Sequence, residues 1–243
     1  MLVLHGGGCS SADWDEIALG LSRRFRGLAP DQRGHGHSQW SPTRSYPIDD
    51  LVADAAELLR QVAGGPAAVV GHSMGAVVAL VLAARHPELI TRVVLVDGGP
   101  LAEGISFPPS PAIPEAFDSR DAAMEWVASR RPASHRRAIE REFRTRFVET
   151  ADGGVRWRMD PVASTPARAR EDHVFLDQWP YVAALKVPTR LIRGGDSLLV
   201  PAEVPRRMAE MNPNVSWIEI PGAGHFIHYD QPRELARVIN EFL

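Results

Sequence analysis

The chain has 243 residues, 44% of them hydrophobic and 23% charged, with a net charge of −3 when histidine is neutral. That profile suits a soluble enzyme with one sizeable core, and it carries no acidic or basic tail announcing a nucleic-acid partner. Cys9 is the single cysteine, which excludes an internal disulfide and a cysteine metal cluster. No apolar run approaches the roughly 18 residues of a membrane span, and Met1–His5 lacks the basic start and apolar length of a signal peptide. The expectation is a cytoplasmic protein with no membrane partner.

In chain order, Met1–Leu4 is a short apolar run ended by Gly6-Gly7-Gly8, and Ser10 or Ser11 caps a predicted helix to about Leu21. Gly27–Pro30 reads as a second short strand running into the glycine-punctuated loop Asp31–Ser38. Ile48–Val62 has helical apolar spacing and is stopped by Gly64-Gly65-Pro66. Strand Ala67–Gly71 and helix Met74–Arg85 follow, and then Val93–Val96, apolar throughout as a central strand covered on both faces would be. From Pro100 to about Lys186 the rhythm changes. This stretch is proline-rich at Phe107–Pro114, then helical and arginine-rich, with no comparable apolar strand. Alternation resumes with strand Thr189–Arg193, helix Glu203–Met211, strand Val215–Ile220 and helix Arg233–Leu243. Such alternation predicts an α/β fold, a mostly parallel sheet flanked by helices. Residues 1–99 and 187–243 form its core, and 100–186 form a helical cap insertion.

The segment Val69-Val70-Gly71-His72-Ser73-Met74-Gly75 places a serine between glycines at a strand-to-helix junction. This is the pattern of a nucleophile elbow, whose tight turn pushes the serine into the open. Parallel sheets gather reactive groups at the carboxyl ends of their strands. At that edge the sequence brings His5–Gly8, Asp31–Ser38, Ser73, Asp97, Asp196 and Gly222-Ala223-Gly224-His225. A serine needs a base, the base needs a carboxylate to set its tautomer, and an oxyanion needs N–H donors. His225 is the base candidate, with His228 its near rival. Gly7, or alternatively Gly8, joins Met74 as an oxyanion donor. His5, His35, His37 and His72 read as packing or bracing residues.

These motifs, in this order and spacing, resemble the α/β-hydrolase superfamily, specifically its cap-bearing serine esterases, lactonases and carbon–carbon bond hydrolases. The resemblance implies Ser73 as nucleophile, His225 as base and the N–H groups of Gly7 and Met74 as the oxyanion hole. Two departures follow. Family members usually open with a strand hairpin ahead of the His-Gly loop, so this sheet is expected to lack its first two strands. The exposed edge would invite pairing, and a homodimer is a candidate assembly. The second departure concerns the acid. In Arg193-Gly194-Gly195-Asp196-Ser197-Leu198-Leu199-Val200-Pro201 the usual carboxylate position holds Ser197, and Asp196 sits one residue early. Other relatives take the acid from the strand before the cap, where Asp97 lies. Both stay open, with the commoner arrangement favouring Asp196.

Within the insertion, Trp126, Trp157 and Trp179 are candidates for a substrate pocket. Arg130, Arg131, Arg136, Arg137, Arg141, Arg144 and Arg146 form either a solvated helix face or a site for a carboxylate- or phosphate-bearing acyl group. The expected activity is hydrolysis of a small-molecule ester or lactone, with no metal or organic cofactor called for. Carbon–carbon or thioester hydrolysis uses the same machinery, and a ligand-binding protein on a hydrolase scaffold is the alternative from another class.

Overall fold

A computed structural model describes residues 1–100, 114–129, 136–164 and 177–243. The main sheet has five parallel strands: β1 (Leu2–Leu4), β2 (Ala67–His72), β3 (Ile90–Val96), β7 (Thr189–Gly194) and β8 (Val215–Ile220), in the order β1-β2-β3-β7-β8. The strand expected at Gly27–Pro30 is reduced to a single parallel bridge between Leu28 and Leu2, because only Leu28 exchanges backbone hydrogen bonds with Met1 and Val3.

Side chains alternate across each strand, and the two faces bury separate apolar layers. One face joins Leu2, Leu4, Val69, Val93, Leu95 and Leu191 to α2 (Ile48–Leu58), α3 (Met74–Arg85), α6 (Trp179–Ala184) and α7 (Glu203–Met211). The opposite face joins Val3, Val70, Val94, Val96, Ile192 and Ile220 to α1 (Asp15–Leu21), α8 (Ile227–Asp230) and α9 (Pro232–Phe242). β3 feeds both layers, which is why Val93–Val96 is apolar without a break.

The helix expected from Ser10 starts as a 3-10 turn over Ser11–Trp14, with Asp13 accepting the Ser10 N–H at 2.9 Å, and becomes α-helical at Asp15. α2 widens into a π turn at Leu59–Ala63 before Gly64 ends it at φ 74°. Between β3 and β7 lie α4 (Arg120–Ser129), α5 (Arg136–Arg146) and an antiparallel sheet absent from the sequence expectation. It is made of β4 (Ala116–Phe117), β5 (Phe147–Glu149) and β6 (Val155–Trp157), in the order β4-β6-β5. Its strands are only two or three residues long, too short to show period-two patterning. Ala123, Val127, Phe143, Phe147, Val155, Trp157 and Met159 form a third apolar cluster, sharing no residue with the layers on the main sheet. Among the described residues no helix is long and apolar enough to cross a membrane.

Candidate active site

Ser73 follows β2 directly and precedes α3 in a conformation rare for a side-chain-bearing residue, φ 52° and ψ −115°. Strain of this kind costs about 1–3 kcal/mol and persists only where the surroundings over-determine it. The glycines of the elbow are such surroundings. A Cβ on Gly71 would stand 2.1 Å from the Gly75 carbonyl oxygen, and one on Gly75 would stand 2.4 Å from that of Leu4. The close crossing of β1, β2 and α3 that these contacts measure holds Ser73 half-exposed at the carboxyl edge.

Two further loops meet it there. His225 follows β8, and its Nε2 lies 3.1 Å from Ser73 Oγ. Its Nδ1 lies 2.8 Å from Asp97 Oδ2. A carboxylate only accepts, so Nδ1 carries the proton and Nε2 faces the hydroxyl as an acceptor. The histidine loop is pinned from two sides: Gly224 N–H donates to Asp230 at 2.9 Å, and the His72 imidazole donates from Nε2 to the His225 carbonyl at 2.9 Å. Asp97 is fully buried and, like Ser73, has positive φ, 43°. Gly194 N–H donates to its Oδ1 at 2.9 Å and the Ser197 hydroxyl to its Oδ2 at 2.6 Å.

Of the two carboxylates left open by the sequence, the structure brings Asp97 to His225. Asp196 is exposed, and its backbone N–H is tied to the Ala223 carbonyl at 2.9 Å. The side chain turned inward from this loop is that of Ser197, 5% exposed. The turn after β7 leaves the two neighbouring side chains in different surroundings, Asp196 exposed and Ser197 buried. His72, read from the sequence as a packing or bracing residue, braces the histidine loop, whereas the part of Ser197 was not foreseen. The one available signal was a hydroxyl standing in a carboxylate's usual place.

The glycine loop is positioned by neutral histidines. Gly8 N–H donates to His35 Nε2 at 3.1 Å, while His35 Nδ1 donates to the Arg33 carbonyl at 3.1 Å. His5 repeats the arrangement, donating from Nδ1 to Gly6 O at 2.8 Å and accepting Gln32 N–H on Nε2 at 2.9 Å. Burial, aided by His5, pushes His35 down to about 3, and burial likewise lowers His5 and, further, His72. Gly8 N–H is engaged, whereas Gly7 N–H has no partner among the described residues. A Cβ on Gly7 would sit 3.9 Å from Met74 Sδ and 4.0 Å from Met74 Cβ, so the two backbones are neighbours. Met74 opens α3, where an N–H has no partner within the helix and the dipole favours negative charge. A hydroxyl, an imidazole acceptor, a buried carboxylate and a pair of N–H donors can together activate an alcohol and stabilise an oxyanion.

The candidate tryptophans have the following neighbours. Trp157 is buried, donates to Pro114 O at 2.7 Å, and packs on Phe147 at 4.3 Å and on Trp126 at 5.1 Å between ring centroids. Trp179 lies against the main core beneath the Arg207 guanidinium, 4.1 Å from its ring centre. Trp126 and Trp157 thus pack in the third cluster and Trp179 against the main core. In the arginine run, Arg130 and Arg131 lie outside the described residues. Arg136 pairs with Glu140 and Arg141 with Glu16, while Arg137 and Arg144 are exposed. Arg146 is buried, 2.9 Å from Glu142, with a bond to Cys9 Sγ at 3.3 Å, and lies 4.8 Å from the centre of the Phe226 ring. Burial raises the Cys9 thiol far above its ordinary range, so it stays protonated. Among the described residues no cluster of three or more His, Cys, Asp or Glu side chains could hold a metal ion.

A family model described as the alpha/beta hydrolase fold matches residues 1–232. Over its whole length the chain is 32% identical to the 2-(acetamidomethylene)succinate hydrolase of Mesorhizobium japonicum, covering 87% of that protein. It is 30% identical to an esterase of Mycobacterium tuberculosis, again over its whole length and 82% of the relative. The crystal structure of E-2-(acetamidomethylene)succinate hydrolase matches with a TM-score of 0.83 at 29% identity, over 100% of this chain and 90% of that one.

Proposed function

The chain belongs to the α/β-hydrolase fold family, and from that premise we propose that it is a serine hydrolase of carboxylic esters or lactones. The observation that carries the reading is the unbroken hydrogen-bonded series Ser73–His225–Asp97. His225 takes the Ser73 proton as Oγ attacks the acyl carbon, and the oxyanion settles between the N–H groups of Gly7 and Met74. The imidazolium then protonates the departing alcohol, leaving an acyl-enzyme on Ser73. Water, deprotonated by His225, repeats the attack and releases the acid. Asp97 holds the tautomer and balances the imidazolium.

Residues 100–186 are proposed as the cap that selects the substrate. In support, α5 delivers Arg146 onto Phe226, the residue after His225, and onto Cys9, the residue after the glycine loop. A second reading keeps this machinery and changes the bond cleaved. It is favoured by the relative at 32% identity, whose named substrate carries an acetamido group and is not an ester.

The test is turnover of p-nitrophenyl acetate and butyrate by wild type, Ser73→Ala and Asp97→Asn, each checked for folding. Turnover by wild type that falls by about 10⁴-fold or more in both variants is expected, from the size of triad deletions elsewhere. Folded wild type with no Ser73-dependent turnover overturns the ester reading and moves the search to acyl-nitrogen and carbon–carbon substrates.

A further inference from the structure

Asp97 divides its two oxygens between different tasks. Oδ1 takes a backbone donor, Gly194 N–H, whereas Oδ2 takes two side-chain donors, His225 Nδ1 at 2.8 Å and Ser197 Oγ at 2.6 Å. The Ser197 hydroxyl cannot turn freely, because its oxygen accepts Leu199 N–H at 3.2 Å and Val200 N–H at 3.3 Å. With those groups on its lone pairs, its single proton is aimed at Asp97. The loop itself is clamped by Arg193, 7% exposed, which donates to the carbonyls of Gly195, Ser197 and Val200. A buried arginine, also paired with Glu219 at 2.6 Å, thus fixes the backbone that carries this hydroxyl.

We propose that Ser197 is a positioning residue of the reaction, holding Asp97 Oδ2 in line with His225 Nδ1 and taking up part of the carboxylate's charge. The proposal rests on the hydrolase reading and assigns Ser197 no contact with substrate. Two effects follow from a charge-assisted bond of this length. The carboxylate is held in one rotamer, which keeps His225 directed at Ser73. The carboxylate's charge is also shared with a second donor, so less of it faces the imidazole, and removing that donor would strengthen its hold on the imidazolium. Among the described residues the groups facing the His225 ring are Asp97 from the end of β3, Ser73 and His72 from the end of β2, and Phe226. Beyond these stand His228 on α8, 4.6 Å from the His72 ring centroid, and Arg146 on α5, over Phe226. None of them changes when residue 197 is substituted.

The experiment compares wild type, Ser197→Ala and Ser197→Thr by two readouts: the pH profile of kcat and KM on p-nitrophenyl butyrate, and the NMR titration of the imidazole C2–H signals without substrate, with His225 assigned through His225→Gln. In Ser197→Ala the expected changes are about a tenfold fall in kcat with KM within about twofold. The acid limb of the profile and the His225 titration midpoint should move to higher pH by about half a unit, the amount a lost donor worth under 1 kcal/mol produces. Ser197→Thr, which keeps the hydroxyl, should restore both. A lost structural contact alone would lower activity and leave the midpoint where it was. An unmoved midpoint in a folded Ser197→Ala protein, or a threonine variant indistinguishable from alanine, overturns the proposal. If wild type shows no Ser73-dependent turnover while the midpoint still shifts, the ester reading fails and the positioning of Asp97 by Ser197 stands.

Discussion

The carboxyl edge of the main sheet and the inserted segment beyond β3 are built on different principles. At the edge, geometry is fixed by backbone: Ser73 and Asp97 at positive φ, glycines packed against carbonyl oxygens, and neutral histidines spending both ring nitrogens on main-chain groups. In the insertion, an aromatic cluster stands apart from both layers of the main core. It is fastened to the rest through polar contacts: Arg141 to Glu16, Thr145 to Tyr229, Arg146 to Cys9, and Asp160 to Arg44 and Tyr46. The contrast teaches a division of labour. Chemistry that must be placed to within a fraction of an ångström rests on the part that cannot move without unfolding the sheet. The inserted part has its own core and separable fastenings.

The sharpest way to break this comparison is to hollow out the smaller core. Phe147 is 2% exposed and its ring meets those of Phe117, Phe143 and Trp157 at 5.6, 5.4 and 4.3 Å between centroids. Phe147→Ala should cost about 3–5 kcal/mol, the usual range for emptying such a site. If the insertion is a separate unit, hydrogen exchange will speed up across 116–157 while β2, β3 and β7 keep their protection. Equal loss of protection in both regions would mean that they unfold as one.

Acid should act on the other side of the comparison. His5, His35 and His72 are buried and lowered, and among the described residues of the insertion there is no histidine. A folded value below the unfolded one, near 6.5, means that the unfolded chain binds the extra proton. Each histidine's contribution is therefore complete above about pH 6.5 and is lost as the pH falls toward its folded value, about 3 for His35. The slope reaches about 1.4 kcal/mol per pH unit for each of them. Asp160 in the insertion behaves differently. Burial raises its carboxyl, but bonds from Arg44, Tyr46 and the Val162 N–H outweigh that and hold it below the ordinary aspartate range. Its contribution is complete above pH 4 and is lost only at lower pH. Denaturant unfolding at pH 7.5, 6.5 and 5.5 should show falling stability through this window, with the slope reduced in His35→Gln. A flat profile would show that the buried histidines are not neutral braces.

What the sequence made legible follows the same division. Short apolar runs alternating with helical spacing placed β2, α3, β7, α7 and β8 almost to the residue, because each packs into the layers of the main sheet. The elbow and His225 were legible because their glycines report on steric crowding. The antiparallel strands of the insertion were not, being shorter than any period they could display. The acid was not legible either. Whether residue 97 or 196 reaches His225 depends on a positive φ at Asp97 and on the turn after β7, and neither leaves a mark in composition or spacing.

The smallest expected effect also tests the choice of acid most directly. Asp196 and Ser197 are adjacent, yet the first is exposed and the second buried against Asp97. Asp196 engages the rest of the chain through its backbone N–H, which an amide side chain leaves intact. Asp196→Asn should therefore change kcat on p-nitrophenyl butyrate by less than about twofold and stability by under about 0.5 kcal/mol, as surface substitutions do. A carboxylate acting on the imidazole would show a loss of about 10⁴-fold when made an amide. The two outcomes are separated by so wide a margin that one rate measurement on folded protein decides between them. A large loss at 196 would mean that the β7 loop swings in solution and that Asp97 serves it as the buried hydrogen-bond partner.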